Sequence, residues 1–451
     1  MSVRTVLMLL FRRIARIYFR EIEVAGDVPA RDVGGRLFGA NHVNGLVDPI
    51  LVLTQAPCAI SPVAKSTLWK IPGLRWLLDV AGAVPIIRRR DVPGKSESDN
   101  EAVFARVATH LVGGGNILIF PEGTSHNEPH LLALKSGAGR MLARAHAEPR
   151  PREDAAPRAL TFQAVALEFD ERDVFRSRSL VLFGPVRHLD ELPGADLAKE
   201  VTDTLFGDLS ELLVEGASWE ERVLLVRVAE MFANDADDRS LANMNRVGRQ
   251  LEAARRVLAS SSPDEVRAME ERLRAYGKLL EAEETTDDRV ARVAHGRPFV
   301  DATPDRALRA AAMILTLPLA LAAAVVYWLP YQLPRFVTKK LKGDPDVSST
   351  YKLGVGLVVY PLWAAAGVAL AFWRLPAPYA IVATVLLFVS PFTALAWLDR
   401  WDRLAARASM LAPTEQQRDR LADLAAERTE LMSDLEVLRA HAEATRAAQD
   451  A

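Results

Sequence analysis

The chain has 451 residues, half of them hydrophobic, and a net charge of −2. That length gives room for roughly two or three domains, and the near-neutral charge argues against a general nucleic-acid binder. A single cysteine, Cys58, in an apolar stretch excludes an intrachain disulfide and reads as a small buried hydrophobe; the eight histidines show no metal-ligand spacing.

Residues 1–20 (MSVRTVLMLLFRRIARIYFR) are apolar and Arg-rich, with no acid. The apolar run 6–11 is too short to span a bilayer, and neither the long apolar core nor the cleavage site of a signal peptide is evident. The pattern predicts an interfacial amphipathic helix, with Leu, Ile, Tyr and Phe on one face and Arg12, Arg13, Arg16 and Arg20 on the other. Packing on the following domain is compatible with the same pattern.

Residues 21–190 read as one α/β domain. Strands are predicted at 21–24, 37–40, 59–64, 117–120, 162–169 and 179–183. Val103, Phe104, Val107 and Leu111 recur at helical spacing, as do Leu131, Leu132, Leu134, Met141 and Leu142 less regularly. Segment 148–158, rich in Pro and charge, is predicted as a surface loop.

Two polar stretches follow apolar strands in this domain, about eighty residues apart: Asn41-His42-Val43-Asn44-Gly45-Leu46-Val47-Asp48-Pro49 and Phe120-Pro121-Glu122-Gly123-Thr124-Ser125. Strand C-termini are where α/β sheets usually hold ligands. A His with a nearby Asp offers a general base and an orienting carboxylate. The second stretch offers backbone donors, hydroxyls and one carboxylate in a turn.

Together the two stretches resemble the glycerolipid acyltransferase superfamily, whose signatures are Asn-His, four residues, Asp, and Phe-Pro-Glu-Gly-Thr. The run Ala81-Gly82-Ala83-Val84-Pro85-Ile86-Ile87-Arg88-Arg89-Arg90-Asp91 resembles its second motif, a Gly followed by an Arg. The planar fork of arginine suits phosphate, and on a strand Arg88 and Arg90 share a face. Lys65 with Pro72, and Lys135-Ser136-Gly137, match further patterns of the superfamily. Here five residues separate His42 from Asp48. On a regular helix the extra residue would turn the side chains apart by about 100°, so a loop or a bend at Gly45 must absorb it. That spacing and Phe175-Arg176-Ser177-Arg178 resemble the large fungal-type glycerol-3-phosphate acyltransferase branch.

The resemblance implies an O-acyltransferase with a mixed sheet flanked by helices. It implies transfer of a fatty acyl chain from a thioester of coenzyme A or acyl carrier protein to a hydroxyl of glycerol 3-phosphate or 1-acylglycerol 3-phosphate. Neither a metal nor a cofactor is expected. His42 and Asp48 are the implied catalytic residues; Asn41, Arg88, Arg90, Glu122, Gly123, Thr124 and Ser125 are the implied acceptor ligands, with Glu122 toward a hydroxyl or an Arg. Two other readings stay open. One is a catalytically silent lipid-binding membrane scaffold. The other is a remodelling acyltransferase with a non-phosphorylated acceptor, for which Arg88 is dispensable.

Residues 191–300 are predicted as a helical insert without a catalytic signature. Residues 301–400 carry three apolar runs, 307–329, 353–373 and 377–397, each close to the roughly twenty residues that cross a bilayer. Basic residues flank the first run on both sides (Arg306, Arg309; Arg335, Lys339, Lys340, Lys342). It is therefore expected to be re-entrant or in-plane, followed by a two-helix hairpin turning near 374–378. That places the catalytic domain and the C-terminus on the same, cytoplasmic side, and the Ala- and Arg-rich composition suggests a bacterial cytoplasmic membrane. Residues 412–451 are predicted as a coiled-coil-like helix with a capping box from Thr414 to Gln417. Its Leu421, Leu424, Leu431, Leu435 and Leu438 form a heptad seam in which Arg428 fills one core place. The seam would form a homodimer or pack on the insert. The expected partners are thus a phospholipid membrane, the acyl donor and the glycerol phosphate acceptor.

Overall fold

The computed structural model describes residues 2–71, 73–87, 100–148, 159–297, 304–341, 345–408 and 415–450. The chain divides into two compact units. The first is Met1–Ala233 with Asp238–Ala253 and Asp344–Ser349; the second is Asn234–Asp237, Ala254–Gly343 and Thr350–Ala451.

The first unit is built on a mixed sheet. Among the described residues its strands are β1 (Glu21–Gly26), β2 (Arg36–Ala40), β3 (Ser61–Lys65), β4 (Val84–Ile86), β5 (Ile117–Ile119), β6 (Thr161–Phe169) and β7 (Arg178–His188). They lie in the order β1-β7-β6-β2-β5-β3-β4, with every neighbouring pair parallel except β6 and β7. All six strands placed from sequence are present. The seventh, β4, stands just ahead of the arginine run, and Arg88 and Arg90 themselves lie outside the described residues. Every residue of β2 is buried, as expected for a central strand covered on both faces.

The helices of this unit are α1 (Val3–Tyr18), α2 (Val47–Gln55), α3 (Leu74–Ala81), α4 (Glu101–Val112), α5 (Gly137–Ala147), α6 (Leu197–Leu212), α7 (Trp219–Ala236) and α8 (Leu241–Ser261), the last two running on into the second unit. One sheet face presents Leu37, Ile117, Phe162 and Leu180 to Phe104 and Leu111 of α4, Met141 and Leu142 of α5, and Val201, Leu205 and Leu209 of α6. Helix α6 therefore belongs to the core of the α/β domain, where a separate insert was expected from residue 191. Its apolar stripe is what covers that end of the sheet. Alternation turns Phe38, Leu118 and Val165 to the opposite face, where α2 packs against β3 and β7.

Two local expectations change. Residues 131–136 do not form a helix. The Leu131 N–H goes to the Glu215 carboxylate (2.7 Å) and the Leu132 N–H to Glu122 (3.0 Å), so these donors are taken before a helix can claim them, and α5 starts at Gly137. In α1, Arg12 turns inward and donates to the Thr54 carbonyl (2.8 Å), while Leu7, Ala15 and Tyr18 are buried. Val3, Val6, Leu9 and Leu10 remain exposed. The helix thus packs on its domain and also keeps an apolar outer stripe.

The second unit contains α9 (Pro263–Ala282), α10 (Asp287–Ala294), α11 (Pro304–Leu341), most of α12 (Pro345–Arg374), α13 (Ala377–Ala408) and α14 (Glu415–Asp450). Helices α11, α12 and α13 are each long and apolar enough to cross a membrane. Their large side chains point outward, Leu315 at 83% exposure and Val325 at 77%. Helix α11 is one unbroken helix through Pro318, Pro330 and Pro334. A proline removes one backbone donor, and in an apolar setting no water competes for the remaining bonds.

The seam of α14 is filled from within the chain. Leu421, Leu424 and Ala425 pack on Val290 of α10. Arg428, 1% exposed, donates from Nε (2.8 Å) and Nη2 (3.1 Å) to the two oxygens of Asp287. Its Nη1 lies 2.7 Å from Asp235. Tyr276 and Asn234 also donate to Asp287, each at 2.8 Å. Burial and then the Asp287 charge push the Tyr276 hydroxyl up, which keeps it a donor. Thr414, the expected cap, lies outside the described residues.

Candidate active site

Strands β2 and β5 are parallel neighbours, with Gly39 beside Ile119. Their C-terminal ends therefore release Asn41-His42 and Phe120-Pro121-Glu122 side by side. Residues 41–46 form a loop in which Gly45 takes φ +50°, and Asp48 sits in the first turn of α2. This bend absorbs the five-residue spacing: His42 Nδ1 lies 2.9 Å from Asp48 Oδ2.

Asp48 is fully buried, and the same oxygen accepts the backbone N–H of Val43 (2.9 Å) and of Asn44 (2.7 Å). An ionised carboxylate only accepts, so the imidazole proton facing it sits on Nδ1 and the Nε2 lone pair is left for chemistry. The His42 ring stacks on Phe120, centroids 4.2 Å apart, and its side chain is 14% exposed. It is oriented from one side and reachable from the other.

Glu122 is only 2% exposed. One oxygen accepts the His42 backbone N–H (2.7 Å); the other accepts the Leu132 N–H (3.0 Å) and pairs with His126 Nε2. The Glu128 N–H donates to His126 Nδ1 (3.1 Å), which puts the His126 proton on Nε2, facing Glu122. The His126 backbone N–H in turn reaches the His42 carbonyl (3.1 Å). The carboxylate expected to meet a substrate hydroxyl or an Arg is thus occupied by the chain's own donors and brackets the His42 loop. Asn41, 3% exposed, likewise spends its amide on Leu167 of β6, donating to the carbonyl (3.1 Å) and accepting from the N–H (2.7 Å).

Gly123 takes φ +74°, a backbone conformation that other L residues rarely adopt, and the flexible Lys135 side chain lies against it. The Thr124 hydroxyl donates to the Ser125 carbonyl (3.0 Å), and both residues are half-buried beside the bracket. His126 and Asn44 were not singled out from sequence. The Glu122-to-His126 spacing and the lone amide between His42 and Asp48 were the available signals. Behind the two loops lies a cavity of about 610 Å³, within the range of ligand pockets. Its walls include Val43, His126, Leu167, Ala229 and Met244, with Trp219 and Arg222 beside them.

Residues 21–156 match the Acyltransferase family model, and this span contains both loops. They form an acyltransferase domain. Its relatives include a lysolipid and a glycerol-3-phosphate acyltransferase. The domain is 34% identical over 125 residues to the lyso-ornithine lipid O-acyltransferase of Pseudomonas aeruginosa, covering 28% of this chain and 42% of that protein. It is 32% identical over 120 residues to glycerol-3-phosphate O-acyltransferase 2 of Saccharomyces cerevisiae, covering 24% of this chain and 15% of the relative. The chain thus spans less than half the length of these relatives. A 1-acyl-sn-glycerophosphate acyltransferase structure from Thermotoga maritima aligns over 45% of this chain and 78% of its own, at 16% identity and a TM-score of 0.33.

Proposed function

We propose that the protein is a membrane-bound enzyme that moves a fatty acyl chain from an acyl thioester to a hydroxyl of glycerol 3-phosphate or 1-acylglycerol 3-phosphate. The observation that carries this reading is the His42–Asp48 pair, held at 2.9 Å beside the Glu122 turn inside the acyltransferase domain.

In the proposed reaction the acceptor hydroxyl approaches His42 Nε2. As its oxygen attacks the thioester carbonyl, the proton passes to Nε2 and Asp48 stabilises the imidazolium. The C–O bond forms, the C–S bond breaks, and the proton on Nε2 is passed to the leaving thiolate. Neither a metal nor an acyl-enzyme is required. Lys135, beside Gly123, and the arginines after β4, Arg88 and Arg90, would hold the acceptor phosphate. Thr124 and Ser125 would hold its hydroxyls. The cavity behind the loops would take the acyl chain. The donor would be a thioester of coenzyme A or acyl carrier protein.

A second reading is favoured by the Pseudomonas relative, whose name specifies a lyso-ornithine lipid. It is an acceptor without a glycerol phosphate, for which Arg88 would be dispensable.

The proposed setting is a bacterial cytoplasmic membrane, with both ends of the apolar region on the cytoplasmic face. Helices α9 and α10 precede that region and α14 follows it, yet α14 packs on them through the Arg428 network. Elements that pack together share one side of a bilayer, so the stretch between them crosses an even number of times. The basic flanks of α11 make it the in-plane helix, and α12–α13 make the crossing hairpin.

The test is acyl transfer in isolated membranes from labelled palmitoyl-coenzyme A, comparing wild type with His42→Ala. Glycerol 3-phosphate, 1-acylglycerol 3-phosphate and a lyso-ornithine lipid serve as acceptors. Transfer that vanishes in the variant supports the reading and picks the acceptor. Equal transfer by both proteins, matched by membranes lacking the protein, overturns it in favour of a silent scaffold.

A further inference from the structure

The loop between β6 and β7 gathers three parts of the first unit that are distant in sequence. Arg176, in the left-handed region at φ +68°, donates from Nη1 to the carbonyls of Arg16 (3.0 Å) and Ile17 (3.2 Å) and so caps the end of α1. The Arg172 carbonyl accepts two buried donors. One is Asn44 Nδ2 at 2.8 Å, from the loop that carries His42 and Asp48. The other is the Ser349 hydroxyl at 2.9 Å, from the start of the apolar helix α12. Ser349 in turn accepts from the Tyr18 hydroxyl of α1 at 2.8 Å.

Asn44 and Ser349 are fully buried and Tyr18 is 7% exposed. The Arg172 guanidinium reaches back to the Val43 carbonyl (3.3 Å), so the loop is held from both ends of one residue. Beyond Asn44 the chain of bonds continues through its backbone N–H to Asp48 Oδ2 at 2.7 Å.

We infer that Tyr18 and Ser349 are positioning residues for the catalytic loop, acting through the Arg172 carbonyl and Asn44 to keep Asp48 under His42. The inference rests on the acyltransferase reading of His42 and Asp48. It gives the link a direction that simple packing would not need. The hydroxyl protons run Tyr18 to Ser349 to Arg172, and the carbonyl has a second lone pair for Asn44. Burial is the main reason the Tyr18 hydroxyl is pushed up to about 12, so it remains a donor across the working pH range. Helix α1 and the first turns of α12 each contribute one hydroxyl. The placement of these two chain segments and the geometry of the base are thereby tied together.

The experiment uses full-length protein in membranes with Tyr18→Phe, Ser349→Ala, Ser349→Thr and the double variant Tyr18→Phe/Ser349→Ala. Tyr18→Phe keeps the ring that packs edge-on against Phe19 and Phe175, so folding is preserved. Kinetics and hydrogen exchange of the peptide covering residues 41–48 are both read. The expected result is kcat down about 5- to 10-fold with the acceptor KM unchanged in Tyr18→Phe and Ser349→Ala. Exchange at 41–48 should rise while β6 and β7 peptides stay protected. Ser349→Thr should restore both readouts, and the double variant should be no worse than Ser349→Ala alone. Unchanged exchange at 41–48, or faster exchange across all peptides alike, overturns the inference. A wild type without transfer on any acceptor would fail the acyltransferase reading, and the exchange arm would still decide whether the link exists.

Discussion

His42 and Asp48 are six positions apart in sequence and 2.9 Å apart in space. A helix would not bring them together. A loop bent at Gly45, leading into α2 with Asp48 in its first turn, does. Asp48 serves two ends at once, since the oxygen that faces the imidazole also gathers the Val43 and Asn44 amides.

The first prediction follows from that double duty. Asp48→Asn presents an amide where three donors converge, so the imidazole loses its acceptor and Nδ1 no longer keeps the proton. Transfer should fall by about 10²- to 10⁴-fold in kcat, the usual range for disabling a general base. Steady-state kinetics with the best acceptor give the number. A loss below threefold would mean that Asp48 does not orient the base.

The second prediction concerns His126. It pairs with the buried Glu122 carboxylate, which holds the His42 amide. Removing its donor leaves a buried charge short of a partner, which costs about 1–3 kcal/mol. His126→Ala should lower both the unfolding midpoint and kcat, and His126→Gln, which can still donate to Glu122, should recover most of both. If the two variants behave alike, the pairing does not matter.

The sequence made the site legible where chemistry and local backbone coincide. Short apolar strands ending in Asn-His and Phe-Pro-Glu-Gly-Thr marked two strand ends, and the parallel β2–β5 pairing brought them together. The bracket was not legible, because nothing in a linear pattern says that Glu122 will be buried against the amides of His42 and Leu132. The place of α6 was missed for a related reason. Its apolar stripe at Val201, Leu205 and Leu209 suits any partner, and only the exposed face of the sheet selects one. The seam of α14 was visible as a seam, but its packing on α10 depended on Asp287 and Asp235 lying where Arg428 arrives.

The third prediction tests the cavity. Ala229, 1% exposed, lies on the α7 wall, far in sequence from the matched domain. Ala229→Phe fills space from a wall far in sequence from His42 and Glu122. The expected outcome is a shift of donor preference toward shorter acyl chains, read by competing thioesters of graded length, with a stability cost of about 1–3 kcal/mol. An unaltered chain-length profile in a folded variant would assign the acyl chain elsewhere.

The last prediction concerns the membrane. Arg428 is held by Asp287 of α10 and by Asp235, so α14 returns to the helices that precede the apolar region. On the proposed topology the three helices long enough to cross do not all cross, because an odd count would put the partners of a buried ion pair on opposite faces. Single cysteines at Lys278 of α9, Val437 of α14 and Leu375 between α12 and α13 can be probed in sealed vesicles with an impermeant maleimide. The native Cys58 is a quiet background, since burial pushes its thiol up and covers it. Lys278→Cys and Val437→Cys should label from the same side, and Leu375→Cys from the other. Labelling of the first two from opposite faces would break the even count. Arg428→Met supplies the energetic control: two carboxylates left without their cation should cost about 3–5 kcal/mol. The loss should appear as early release of α14 to protease while the His42 domain stays intact.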